Sequence, residues 1–414
     1  MIKITNYDGD RASARFLLCI AVLLLTTASL SAQNFELLPK SGQLTNAEEL
    51  FNAGNDALFK GDYQLAVQKY SDAIAAAPSM ALPYINRGVA YVSLSKFQEA
   101  MADAEKALSL LENGSNPSSH SAIAYQVKGI VFQNQKNYKL AIESFSKSLD
   151  FEPSDAKLWN SRGGAYFLSK DYGNALKDFD KAIELDASKA MFYSNRASVK
   201  MGLNDVAAAL KDLDEALKLN DADPLVYYTR GNAYSRLSKF DEALKDYDRA
   251  ISLKPKSPYY YGRGRIYLVL GKYDLAIKDN TDAIALDPTN INALYNRAMS
   301  YHKMGKTPMA IEDMRKAVAV NEKSATMRYT LGFLLFRSGQ FASAATEASK
   351  AIELAPNWRS PYSLRASAYA KVGNAIKAKA DRTTAANLSS SNKPVEDASF
   401  FELTIFAPED LGQY

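Results

Sequence analysis

The chain has 414 residues, of which 47% are hydrophobic, so it has enough apolar material for a large folded protein rather than a disordered one. Its formal net charge is +4, and basic residues are interleaved with acidic ones throughout. A chain without a basic block cannot neutralise a run of phosphates, so the composition argues against nucleic-acid binding.

The first predicted element is an apolar run from Phe16 to Ala32 that follows two arginines. A core of about 10 to 15 apolar residues that ends in small residues is typical of a secretory signal peptide. We therefore predict a signal peptide over 1–32 and an exported mature chain that begins near Gln33. The compartment would be periplasmic or extracellular in a bacterium and a secretory lumen in a eukaryote. The alternative is an uncleaved membrane anchor, because the leader before the arginines is long.

The only cysteine, Cys19, lies inside this apolar run. Cleavage after Ala32 would leave a mature chain with no cysteine. Disulfide bonds and a thiol nucleophile are then not expected.

After a linker over 33–46, one unit occurs ten times up to residue 392, with a loop insertion at 115–121. Position 8 of the unit is glycine or alanine in every copy, position 20 is always alanine, and positions 4, 11, 17 and 24 are mostly large or aromatic. Small residues allow two helices to approach, and the large ones form an apolar stripe on each helix. Each unit is therefore predicted to be a helix, a turn and a second helix. The units begin at residues 47, 81, 122, 156, 190, 224, 257, 291, 325 and 359.

Each unit has 34 residues, except the sixth, which has 33. This pattern resembles the tetratricopeptide repeat family, whose helix-turn-helix unit has 34 residues. The resemblance implies an all-α fold, a right-handed α-solenoid of tandem repeats whose first helices line a concave face. It also implies a non-catalytic scaffold that binds extended protein segments on that face.

Seven units carry an arginine at position 7, within the apolar stripe of the first helix, and the same seven carry an aspartate sixteen residues later. The three other units lack both residues. This joint variation predicts an ion pair between the two helices of one unit, and so a structural role for the arginines rather than a row of anion-binding sites. The predicted pairs are Arg87 with Asp103, Arg162 with Asp178, Arg196 with Asp212, Arg230 with Asp246, Arg263 with Asp279, Arg297 with Asp313 and Arg365 with Asp381.

Residues that carry chemistry are scarce. The two histidines, His120 and His302, belong to different units, and neither has a set of metal ligands nearby in the sequence. Neither belongs to a recognisable nucleophile motif. We therefore expect no metal, no cofactor and no catalytic residue.

The resemblance assigns the concave face to positions 2, 5, 6, 9, 12 and 13 of the unit. Position 5 is tyrosine in the sixth to ninth units, and the arginines at positions 9 and 13 stand outside the pairing pattern. Tyrosine and arginine are common interface anchors, so we predict a groove for acidic and apolar protein segments, with packing alone as the alternative. The predicted groove residues are Tyr228, Asn232, Tyr261, Arg265, Tyr295, Asn296, His302, Tyr329, Phe333, Phe336 and Arg337.

Two other roles stay open. The array could be an accessory subunit that positions a catalytic partner in a cell-envelope polysaccharide or secretion system, or it could be a lumenal or periplasmic cochaperone. Some cochaperones of the resembled family clamp an acidic carboxylate with two asparagines and three cations. Asn55 and Asn86 match the asparagines, but Phe51, Ile123 and Val127 stand where the cations would be, so this clamp is not expected.

A tail over 393–414 follows the last unit and contains an apolar stretch from Ala398 to Phe406. Terminal units of a repeat array need a cap because no neighbour covers them. We therefore expect the tail to pack against the tenth unit.

Overall fold

A computed structural model describes residues 45–112 and 119–388. Every regular element in these ranges is an α-helix, so the predicted fold class, an all-α solenoid of tandem helix-turn-helix repeats, is confirmed. The predicted signal peptide and the tail lie outside the described residues.

The described chain divides between Asp221 and Ala222 into two compact units, which we call the N-terminal array and the C-terminal array. Each array holds five repeats. The helices of the N-terminal array are α1 (Asn46–Phe59), α2 (Tyr63–Ala76), α3 (Ala81–Ser93), α4 (Phe97–Glu112), α5 (Ser119–Asn134), α6 (Tyr138–Phe151), α7 (Ala156–Leu168), α8 (Tyr172–Leu185), α9 (Ala190–Gly202) and α10 (Val206–Leu219). Those of the C-terminal array are α11 (Pro224–Arg236), α12 (Phe240–Leu253), α13 (Ser257–Val269), α14 (Tyr273–Leu286), α15 (Ile291–Lys303), α16 (Thr307–Val320), α17 (Ala325–Arg337), α18 (Phe341–Leu354), α19 (Arg359–Lys371) and α20 (Ala375–Asn387).

Odd-numbered helices are the first helices of the repeats and even-numbered helices are the second ones. The turn between them shares one backbone feature in all ten repeats, since position 15 always has a positive φ. Five repeats use glycine there, as at Gly271 with a φ of 72°, and five use another residue, as at Lys170 with a φ of 70°. Side chains rarely adopt this left-handed conformation, so the turn geometry is imposed by the packing of the two helices.

Side-chain caps fix the start of several second helices. Asp62, Asn137, Asp171 and Asp205 each accept a hydrogen bond from the backbone N–H three residues later, at 3.0 to 3.4 Å. Such a cap satisfies one of the free N–H groups at a helix N-terminus. These caps position the second helix against the first.

The small residue at position 8 lets a ring from the second helix lie against the first helix. A Cβ atom added at Gly54 would lie 2.5 Å from a ring carbon of Tyr70, and one added at Gly129 would lie 2.6 Å from the Phe145 ring. Tyr70 and Phe145 are fully buried. The predicted close contact is confirmed in these two repeats, where the ring fills the core of the helical hairpin.

Candidate functional site

All seven predicted arginine pairs are present. In each, the guanidinium Nε and Nη2 donate to the two carboxylate oxygens of the aspartate on the second helix of the same repeat, at 2.7 to 2.9 Å. The aspartate side chains are 3% to 9% exposed and the arginines 14% to 21%. A buried, bidentate pair of this kind holds the two helices in register.

The arginines have a further contact that the sequence reasoning missed. In six repeats Nη1 also donates to position 25 of the preceding repeat: Arg162 to Ser146 at 3.0 Å and Arg297 to Thr281 at 3.1 Å are examples. The other four contacts join Arg87 to Ser71, Arg196 to Asp180, Arg263 to Asp248 and Arg365 to Ser349. Position 25 varies among serine, threonine and aspartate, which share only a side-chain oxygen. Each of these six arginines therefore joins three helices within its array, and its role is structural.

The predicted groove residues do not share one environment. Tyr228, Tyr261 and Phe333 are 2%, 7% and 1% exposed, and the Tyr228 ring contacts the rings of Tyr247 and Tyr259. These three side chains therefore belong to the core, as the packing alternative expects.

Arg265 corrects one premise of the sequence reasoning. Its side chain is buried, with 6% of the residue exposed, and Nη2 donates to Ser235 Oγ at 2.8 Å. Although the sequence leaves Arg265 outside the pairing pattern, its charge therefore has a partner within the array. Position 9 of one repeat reaches position 12 of the preceding repeat, a contact between first helices that residue spacing alone does not reveal.

The other predicted residues reach the surface or lie just below it. Asn232, Tyr295, His302, Tyr329 and Phe336 are half-buried, Asn296 is buried and Arg337 is exposed. Asn232 accepts from the Tyr247 hydroxyl at 2.7 Å, and the His302 ring lies edge-on to Phe333 at 5.8 Å.

Tyr295 and Tyr329 form the centre of this set. Burial raises the pKa of both phenols to about 12, and at Tyr295 the neighbouring Tyr329 adds to the shift. The Tyr329 ring packs against Trp358 with centroids 4.8 Å apart. Asn296 lies next to Tyr295 in the chain, and its buried Nδ2 has no hydrogen-bond partner among the described residues. The eighth and ninth repeats therefore place two neutral phenols and an unsatisfied amide donor on their first helices.

The N-terminal array uses its first-helix polar residues differently. Asn86 Nδ2 donates to Asn55 Oδ1 and Asn195 Nδ2 donates to Asn160 Oδ1, both at 2.8 Å. Asn55 Oδ1 also accepts from the Tyr70 hydroxyl at 2.7 Å. These amides bond to each other across consecutive repeats, although Asn55 Nδ2, like Asn296 Nδ2, has no hydrogen-bond partner among the described residues.

The same contacts bear on the carboxylate clamp. Phe51 and Val127, two of the residues that replace its cations, are each 1% exposed and belong to the core. The Asn55 carbonyl oxygen already has two donors. The first three repeats therefore present no cationic clamp at these positions.

Within residues 45–112 and 119–388, no group of three or more histidine, cysteine, aspartate or glutamate side chains could hold a metal ion. Over the same residues, no helix combines the length and the hydropathy that a membrane span requires.

Comparison with known families agrees with the geometry. Sequence profiles described as "Tetratricopeptide repeat" match residues 51–119, 122–155, 156–188, 224–257 and 295–357, and one described as "TPR repeat" matches 264–305. The chain belongs to the tetratricopeptide repeat family. This membership accounts for the 34-residue period, for the helical hairpins and for the small residue at position 8.

Individual relatives cover only part of the chain. The small glutamine-rich tetratricopeptide repeat-containing protein 2 of Saccharomyces cerevisiae is 35% identical over 128 residues, which are 30% of this chain and 35% of that protein. Hsp70-Hsp90 organizing protein 1 of Glycine max is 48% identical over 59 residues, 14% of this chain and 10% of that protein. The chain thus spans about a third or less of these relatives.

Among solved structures, a tetratricopeptide repeat protein from Parabacteroides merdae covers 61% of this chain and 98% of its own length. Its TM-score is 0.49 and its sequence identity 19%.

Proposed function

We propose that this tetratricopeptide repeat protein is a non-catalytic scaffold that binds an extended protein segment on the first helices of its eighth and ninth repeats. The observation that carries the proposal is the pair of half-buried phenols of Tyr295 and Tyr329, which differ from the buried Tyr228 and Tyr261 at the same repeat position. A tyrosine combines an apolar ring with a hydroxyl that donates and accepts hydrogen bonds, which makes it a common binding anchor.

The chemistry of these side chains suits a main chain in extended conformation. Neutral phenols both donate and accept hydrogen bonds, and Asn296 Nδ2 can donate once a ligand carbonyl is within reach. An unsatisfied buried donor costs about 1 to 3 kcal/mol, so a ligand that satisfies it gains affinity. Half-buried Phe336 and exposed Arg337 lie at the end of α17, the helix that carries Tyr329. They suit the apolar and acidic side chains, respectively, of the segments expected from the sequence.

The test uses peptides selected from a random peptide display library on the immobilised full-length chain. We expect Tyr295→Phe combined with Tyr329→Phe to weaken peptide binding about 10-fold or more, because two hydrogen bonds are lost while both rings stay packed. Tyr260→Phe is the control, since the Tyr260 ring packs against Arg263, one of the seven arginines that pair with an aspartate, and is not among the predicted groove residues. Equal peptide affinity for the double variant and the parent, measured by fluorescence anisotropy, would place the binding surface elsewhere.

We also propose that the protein is exported and that its mature chain begins near Gln33. The support is the short apolar run followed by small residues. N-terminal sequencing of the native protein tests it, and a chain that keeps Met1 or the apolar run contradicts it.

A further inference from the structure

A second surface lies on the second-helix side of the C-terminal array. Helices α16, α17 and α18 of the eighth and ninth repeats line a pocket of about 480 Å³ that is open to solvent. Buried Leu331 and Leu335 form its apolar floor, and Arg315, Arg328, Glu347 and Lys350 stand around it.

The pocket exists because the ninth repeat departs from the pattern of its neighbours. In the fourth repeat, the guanidinium of Arg162 at position 7 lies over the rings of Trp159 and Tyr166 and donates to Asp178 and Ser146. In the ninth repeat the side chain at position 7 is Leu331, and the one at position 11 is Leu335 instead of a tyrosine. Two shorter side chains leave open the space that an arginine and a ring fill elsewhere.

The charge of the pocket has also changed. Arg328, one helical turn before Leu331, donates to Glu347 at 2.9 Å, and Lys350 pairs with the other oxygen of Glu347 at 3.0 Å. Position 25 of the preceding repeat is Arg315, where other repeats have an oxygen-bearing side chain. Arg315 is exposed and has no hydrogen bond or ion pair within the described residues. Three cations face two carboxylates, those of Glu322 and Glu347, so the pocket favours an anionic occupant.

We propose that residues 395–406 of this same chain occupy the pocket rather than the end of the tenth repeat, where the sequence alone places the tail, with an acidic side chain at Arg315 and apolar side chains over the two leucines. The segment reads VEDASFFELTIF, so it holds three carboxylates, no cation and five large apolar residues from Phe400 onward. Its chemistry is complementary to a cationic rim around an apolar floor. The proposal does not rest on the peptide-binding function, because no partner protein takes part.

The connection is long enough. Helix α20 ends at Asn387, in the repeat directly after the pocket. The six residues from 389 to 394 span up to about 20 Å when extended, and packed neighbouring helices lie about 10 Å apart. A tether of this length keeps the segment at a high effective concentration near the pocket.

Disulfide trapping in the full chain tests the docking. With Cys19 replaced by serine, Thr346→Cys at the pocket is combined with Ser399→Cys in the segment. The control places the first cysteine at Ala380, the exposed equivalent of Thr346 in the tenth repeat and much nearer to Ser399 in sequence. We expect the pocket pair to form an intramolecular disulfide at least 10-fold faster than the control pair, as followed by mass spectrometry without reductant.

Variants of the pocket sharpen the test. Arg315→Glu should slow trapping at least 10-fold, whereas Lys316→Glu, which changes the neighbouring exposed cation that pairs with Glu312, should change it less than twofold. Leu331→Arg together with Arg315→Ser restores the regular pattern and should slow trapping to the same degree while helicity by circular dichroism is kept. This variant stays informative even if Arg315→Glu unfolds the repeat.

Three results would overturn the proposal. A disulfide that joins two chains would mean that a second copy occupies the pocket. Faster trapping at Ala380, lost on Ile376→Ser, would mean that the segment covers the end of the tenth repeat, where Ile376 is 85% exposed. Trapping that the pocket variants leave unchanged would mean that the segment docks nowhere specific.

Discussion

The fourth and the ninth repeats have the same two helices, yet they use their arginine in different ways. Arg162 lies at position 7 and fills the space between consecutive second helices, whereas Arg328 lies at position 4 and leaves that space open. Moving a guanidinium by one helical turn therefore converts a structural contact into a pocket without a change of fold. A repeat protein can gain a site in one repeat while its neighbours maintain the array.

The largest expected difference between these repeats is the loss of stability when the carboxylate that pairs with the arginine is removed. Asp178→Ala leaves Arg162 half-buried without its bidentate partner, and we expect it to lower the free energy of local opening by about 3 kcal/mol. Glu347→Ala should cost only about 1 kcal/mol, because Arg328 keeps its hydrogen bond to the Glu322 carbonyl oxygen. Hydrogen exchange of the amides in each repeat measures both values, since repeat arrays need not unfold in one step. Equal costs in the two repeats would contradict the comparison.

A smaller effect of opposite sign is expected when the regular pattern is restored. Leu331→Arg with Arg315→Ser places a guanidinium between Glu347 and a serine, as Arg162 lies between Asp178 and Ser146. We expect the ninth repeat to gain about 0.5 to 1 kcal/mol in local stability, measured by the same exchange experiment. A loss of stability would show that the ninth repeat has adapted to its leucine.

A double-mutant cycle isolates the arginine pair itself. Arg230→Ala and Asp246→Ala should be non-additive by about 0.5 kcal/mol or more, because the two side chains share two hydrogen bonds. The cycle of Arg328→Ala and Glu347→Ala should give a smaller coupling, since Lys350 also contacts Glu347. Strict additivity at Arg230 and Asp246 would reject the pairing.

The smallest expected signal concerns position 5, which is Asn160 in the fourth repeat and Tyr329 in the ninth. Burial raises the pKa of the Tyr329 phenol to about 12, while an unfolded chain ionises its tyrosines near pH 10. As the pH rises, the phenol therefore loses its proton in the unfolded state before it does so in the folded state, and the free energy of unfolding falls between about pH 10 and pH 12. Tyr329→Phe should remove one phenol of 25 from the late part of an absorbance titration and weaken this alkaline dependence. Loss of a phenol that titrates near 10 would contradict the burial.

The sequence predicted the features that recur from repeat to repeat. The period, the two apolar stripes and the joint variation of arginine and aspartate were enough to place the helices and the seven ion pairs. The contact with position 25 was missed because serine, threonine and aspartate look like any exposed polar residue in a hydrophobicity pattern. The left-handed turn at Lys170 was missed because only glycine signals that conformation in a sequence.

Side-chain depth was harder to predict than helix position. Tyr228 and Tyr329 occupy the same place in the repeat, yet one is buried by Tyr247 and Tyr259 and the other is half-buried beside Trp358. Their exposure depends on the size of the side chains in adjacent repeats. An alignment of the repeats by position does not show which of these side chains touch each other. The pocket was missed for a related reason, since it results from two side chains that are shorter than usual.

The burial of the arginine pairs gives the protein two different responses to ionic strength. Mobile ions screen exposed charges over about 8 Å at physiological salt, but they act much less on pairs removed from water. Arg162 and its equivalents should therefore hold their repeats together from dilute buffer to molar salt. Exposed Arg315 lacks this protection, so attraction of an anionic group to the ninth repeat should weaken steeply over the same range while the array keeps its helicity.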